Sequence, residues 1–236
     1  MINSYIALDL ETTGLNPKYA KILEIGAVKI INGKVVDTYD KMVNARTHLS
    51  KEIVHLTGIT EEMMSQGEET EIAIKELLEF CEDYILLGHN ILFDYSFVKK
   101  CAINNQLHFE KSAIDTLKLA RKFLPYIEKR SLEYLCEYYQ IDHVDKHRAY
   151  CDALATSDLY QILAEEYYDG NEGDFHPYRL SYQVKKEGSI TPRQKNYLND
   201  LTKYHKISVA VQIDSLTKNE ASRIIDGIIL EHGRII

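Results

Sequence analysis

Tyr5-Ile6-Ala7-Leu8-Asp9-Leu10-Glu11 is an apolar run that carries two acids, set two residues apart. Successive side chains of a strand point to opposite faces, so Asp9 and Glu11 share one face while Ile6, Leu8 and Leu10 fill the other. Neighbouring carboxylates repel, and one tends to protonate unless a cation neutralises the pair. A metal ion supplies that cation, and ligation by oxygen alone suits Mg²⁺ or Mn²⁺ rather than zinc. The bland alternative is an edge strand with two solvated acids.

Downstream, residues 22–31, the dipeptide Asn32-Gly33 and residues 34–43 read as a strand, a tight turn and a strand. From Ser50 onward the pattern turns helical, with Ile72, Ile74, Leu77, Leu78 and Cys81 on one stripe of a helix over 71–82. A short strand at 84–87, a helix over 93–104 and a brief strand at 113–115 follow. Helices are expected around 116–123, 131–139 and 149–168. Strands first, then strands alternating with helices, predict an α/β fold with a mixed sheet covered by helices.

The first domain is expected to span 1–168. Asp169-Gly170-Asn171-Glu172-Gly173-Asp174 interrupts both apolar periodicities, which places a linker over 169–189. Thr191-Pro192-x-Gln194 and Thr217-x-x-Glu220 match capped helix starts. They define a small helical C-terminal module over 190–236, near the lower size limit for independent folding.

A net charge of -8 argues against a protein held to nucleic acid by broad phosphate neutralisation. The acidity belongs to the large domain, since residues 191–236 carry 7 of the 28 basic and only 5 of the 36 acidic residues. Lys185-Lys186 and Arg193-Gln194-Lys195 read equally as phosphate contacts or as solvated charge. Cys81, Cys101, Cys136 and Cys151 lack metal-binding spacing and read as reduced thiols. Residues 1–5 run straight into the first strand without a signal segment, and no apolar run is long enough for a bilayer, so a cytoplasmic address without a membrane partner is expected.

Further segments join the acid pair: His89-Asn90-Ile91-Leu92-Phe93-Asp94, Asp115, and His147-Arg148-Ala149-Tyr150-Cys151-Asp152. With Asp9-Leu10-Glu11-Thr12-Thr13-Gly14 they resemble, in order and over about residues 3–165, the DEDDh exonucleases, the superfamily of the proofreading subunit of bacterial replicative polymerases. The resemblance implies a ribonuclease H-like fold in which Asp9, Glu11, Asp94 and Asp152 are metal-binding acids and His147 is the general base. It also implies release of nucleoside 5'-monophosphates from a single-stranded or frayed 3' end with two Mg²⁺ or Mn²⁺ ions. The chemistry agrees: phosphodiester cleavage needs an activated water and a stabilised leaving oxygen, which two cations about 3.5–4 Å apart supply together. Histidine suits the proton transfer because its ordinary pKa lies near neutrality.

By the same resemblance, Thr12, Thr13 and the backbone near Gly14 meet the terminal sugar, Asn90 and Phe93 lie near the last nucleotides, and Thr57 helps to shape the terminal pocket. Asp115 is expected to cap the helix after it, and His89 to be a hydrogen-bonded scaffold residue. His55, His108 and His143 are expected to have no catalytic task. The expected partner is nucleic acid with a free 3' end, DNA in preference to RNA, together with a polymerase or other replication protein. An exoribonuclease of the same family and a non-catalytic adaptor on the same fold are the alternatives.

Overall fold

The computed structural model describes residues 1–143, 146–184, 188–209 and 211–235. Lys185 and Lys186 lie outside the described residues. The chain divides into two compact units, Met1–Ala45 with Leu49–Val184 and Arg46–His48 with Lys185–Ile236.

In the first unit β1 (Tyr5–Thr12), β2 (Ile22–Ile31) and β3 (Lys34–Asn44) form an antiparallel meander. Asn32 and Gly33, both with positive φ, turn the β2–β3 hairpin as their residue types demand. β1 pairs in parallel with β5 (Leu86–Gly88), and β5 with β6 (Ser112–Asp115). With β4 (Glu68–Glu69) and β7 (Tyr178–Arg179) at the edges, the order is β4-β3-β2-β1-β5-β6-β7. The parallel strands β1, β5 and β6 therefore all deliver their C-terminal ends to one edge, where Asp9, Glu11, His89, Asn90 and Asp115 collect.

Ile6, Leu8 and Leu10 pack against α3 (Thr70–Cys81) and α4 (Leu92–Asn104) in one core. Tyr5 and Ala7 lie in a second core, with residues of α5 (Thr116–Phe123), α6 (Leu132–Tyr139) and α7 (Ala149–Tyr167). That second face is also the face of Asp9 and Glu11. Two short helices, α1 (Lys51–Thr57) and α2 (Glu61–Ser65), flank a small satellite core of Leu23, Ala45, Ile59 and Met64.

One expectation is corrected. The segment 169–189 is not a linker along its whole length, because it supplies apolar groups to both main cores. Phe175, 1% exposed, stacks on Phe123, and Leu180, also 1% exposed, joins the core of α3 and α4. Tyr178–Arg179 extends the sheet from β6, so the first unit continues to Val184.

In the second unit α8 (Pro192–His205) and α9 (Lys218–His232) each begin with a complete capping box, Thr191 with Gln194 and Thr217 with Glu220. Leu198, Leu201, Leu216, Ala221, Ile225 and Ile228 form its core. Among the described residues, no helix of the chain is long and apolar enough to cross a membrane.

Gly26 of β2 sits opposite Asp9 and receives the start of α7. A Cβ there would lie 2.0 Å from the carbonyl carbon of Ala149 and 2.1 Å from the nitrogen of Tyr150, both backbone atoms. Gly26→Ala is expected to destabilise the fold by about 2 kcal/mol or more, since overpacking against backbone relieves itself only by displacing α7. Urea denaturation measures this, and an unchanged midpoint would refute the contact.

Candidate active site

The site is assembled from the ends of β1, α4 and α7. Leu10 of β1 donates its backbone N–H to Asp94 Oδ1 at 3.1 Å, which fixes Asp94, in the first turn of α4, beside the strand. Asp152 stands in the first turn of α7. Glu24 of β2, opposite Glu11 in the register and 1% exposed, anchors that helix. It accepts from Arg148 Nε at 2.9 Å, from Arg148 Nη2 at 2.6 Å and from the Ala149 N–H at 3.1 Å. The chain enters α7 through His147, whose φ is 63°, so the backbone reverses hand just before the helix.

Glu11, Asp94 and Asp152 are buried, Asp9 is half-buried and His147 is exposed. Glu11, His147 and Asp152 each offer a ligand atom, and these atoms lie within 4.8 Å of one another. Burial, and after it the charges of Asp94, Asp152, Glu11 and Glu24, hold the Asp9 carboxyl well above the usual carboxylate range. Asp94 is raised well above that range too, chiefly by burial. Burial also raises Asp152, against the contact with His143. A crowd of carboxylates that repel one another on a common edge fits a hard divalent cation by charge and by donor type.

His143 departs from expectation. Its Nε2 is hydrogen-bonded to Asp152 Oδ1, its side chain is 5% exposed, and its Nδ1 is buried without a partner among the described residues. It therefore belongs to the site, nine residues before the acid it touches. Glu24 was equally hidden in an apolar run. The one signal for it is an acid at Ile22-Leu23-Glu24-Ile25, a position at which a buried strand otherwise carries an apolar residue.

Residues expected near the substrate are placed as follows. Thr12 donates its hydroxyl to Gly14 O at 2.9 Å, and Thr13 Oγ1 accepts from the Lys21 N–H at 2.9 Å, so both shape the turn after β1. Thr13 and Gly14 also line a hollow of about 240 Å³ with Leu15, Asn16 and Tyr19. Asn90, exposed and with φ 72°, donates its N–H to Asp115 Oδ1 at 2.9 Å, while the ring of Phe93 leans on Phe97. The buried hydroxyl of Thr57 donates to Ile53 O and accepts from the Ile59 N–H. Asp115 caps α5 through the Leu117 N–H, and His89 bonds Thr116 Oγ1 at 2.9 Å and Arg130 O at 2.7 Å.

A mixed sheet flanked by helices, with acids at the C-terminal end of its central strand, defines a ribonuclease H-like α/β nuclease fold. The exonuclease family RNase_T matches residues 6–160, and the chain belongs to it. Among its relatives is the PolC-type DNA polymerase III of Caldanaerobacter subterraneus subsp. tengcongensis, 37% identical over 162 residues that make up 69% of this chain and 12% of the polymerase. The chain thus spans about an eighth of that relative's length. E. coli exonuclease I in complex with a dT13 oligonucleotide shares the fold, with a TM-score of 0.64 at 18% identity over 74% of this chain and 43% of that one. Exonuclease X in complex with 5' overhanging duplex DNA gives 0.57 at 26% identity over 69% of this chain and 92% of that one.

Burial first, and then the charges of Asp152, Glu24 and Asp94, push Glu11 from 4.5 up to about 8. Its folded form thus holds a proton that the unfolded chain releases near 4.5, so its stabilising contribution is lost as pH rises from about 4.5 to about 8. Without metal, the unfolding free energy is expected to fall across this window by at most about 1.4 kcal/mol per pH unit from this group. Glu11→Gln is expected to flatten that fall. Urea titrations at the two ends of the window measure it, and identical slopes in wild type and variant would contradict the crowded cluster.

Proposed function

We propose that the chain is a metal-dependent 3'-5' exonuclease that releases nucleoside 5'-monophosphates from single-stranded or frayed 3' ends of DNA. The observation that carries this reading is the gathering of Asp9, Glu11, Asp94 and Asp152 on one sheet edge, with His147 within ligand reach of Glu11 and Asp152. Kinship with PolC-type polymerases, and a fold shared with exonucleases solved on DNA, support DNA over RNA and a replication polymerase as partner.

Asp9, Glu11, Asp94 and Asp152 would hold two Mg²⁺ or Mn²⁺ ions. Bound there, such ions neutralise the carboxylates, lower the pKa of an attacking water and stabilise the departing 3' oxygen. His147, exposed on the approach to α7, takes the proton of that water. Glu24, with Arg148 and the Ala149 N–H, holds the start of α7 so that Asp152 and His147 keep their spacing from Glu11. The turn carrying Thr12, Thr13 and Gly14 receives the terminal sugar, and Asn90 and Phe93 border the preceding nucleotides.

Incubating the protein with 3'- and 5'-labelled single-stranded DNA, RNA and mismatched duplex, with Mg²⁺ or with chelator, tests this. Stepwise loss from the 3' end of DNA that needs metal is expected. His147→Ala should lower turnover by about 10²–10⁴-fold and leave Mn²⁺ affinity nearly intact, whereas Asp9→Ala should abolish both. Equal, mild losses in the two variants, or loss from the 5' end, would overturn the assignment, and a preference for RNA would make the chain an exoribonuclease.

A further inference from the structure

The walls of a cleft of about 510 Å³ include His89, Asn90, Arg121, Arg130, Ser131 and Leu132. His89 and Asn90 follow β5, while Arg121 lies on α5, which starts where β6 ends. The cleft therefore stands on the sheet edge that carries the acids. Asn90 joins the two features, being bound to Asp115 through its N–H and lying four residues before Asp94.

Its charge is opposite to that of the cluster. Arg121 is exposed and, among the described residues, makes no hydrogen bond or ion pair. Arg130 is held in place by Nε and Nη2, which donate to Leu124 O at 3.2 and 2.7 Å. Ser131, at the N-cap of α6, makes no side-chain capping hydrogen bond, so its hydroxyl is not used on the helix start. The free guanidinium of Arg121, the remaining donors of Arg130 and the Ser131 hydroxyl give the cleft a cationic, donor-rich wall suited to a phosphate oxygen.

We propose that this cleft is a subsite for an internal phosphodiester of the strand, upstream of the nucleotide being removed. The proposal rests on the exonuclease reading, which sets the terminal nucleotide against the acids and leads the rest of the strand away along the same edge. It also accounts for how a chain of net charge -8 holds a polyanion: by a few placed cations rather than by its overall field. Arg121 is the group to probe, since it is exposed and supports no neighbour.

The full chain, with Mg²⁺, is assayed on two substrates: an oligothymidylate of about ten nucleotides, and the p-nitrophenyl ester of thymidine 5'-monophosphate, which has no upstream phosphate. For Arg121→Ala the loss of kcat/KM on the oligonucleotide is expected to exceed that on the ester about ten-fold, mostly through KM. The slope of log affinity against log salt is expected to become shallower by about 0.7, the value for one contact to a single strand. Arg121→Lys should recover part of the loss, and Lys34→Ala, at the exposed start of β3, should alter neither substrate. Equal losses on both substrates, no loss on either, or the same loss from Lys34→Ala would overturn the subsite. A wild type that cleaves neither substrate would overturn the exonuclease reading, and the subsite with it.

Discussion

Carboxylates crowded onto the end of one central strand set the terms for the rest of the fold. Asp9 and Glu11 lie on the face that also buries Tyr5 and Ala7, and α4 and α7 bring Asp94 and Asp152 against them. Like charges in a poorly solvated place strongly favour protonation, and the raised carboxyls at Asp9, Glu11, Asp94 and Asp152 express that repulsion. Such an arrangement is unfavourable for folding alone. On the proposed reading, divalent cations held by the acids would offset that cost and link metal binding to stability.

The scaffold holds the acids together by placing neutralising and packing groups behind them. Gly26 leaves room for the first turn of α7, and Glu24 takes two hydrogen bonds from Arg148 and one from the Ala149 N–H. A buried acid with a fully engaged carboxylate is a strong anchor, because removing any partner leaves an uncompensated charge. His143 supports the cluster at Asp152, hydrogen-bonded to its Oδ1.

Much of this was legible in the sequence because it is local. The acid pair in an apolar run, the Asn32-Gly33 turn, the stripe over 71–82 and the two capping boxes each lie within a few residues, and period and capping rules read them directly. What was missed depends on contacts between distant residues. Nothing in the sequence points to His143's partner, because its contact with Asp152 exists only in the folded chain, and Glu24 reads as an ordinary strand position because its partners lie about 125 positions away. The polar run at 169–174 suggested a linker, while Phe175 and Leu180 just beyond it return the chain to both cores.

Anomalous diffraction from crystals grown with Mn²⁺ would examine the cluster most directly. Two peaks about 3.5–4 Å apart, with Asp9 ligating between them and Glu11, Asp94 and Asp152 around them, are what a site built for two-cation chemistry requires. Absence of ions at Asp9, or a single ion held away from it on the histidines, would contradict the claim that these acids were gathered to bind metal.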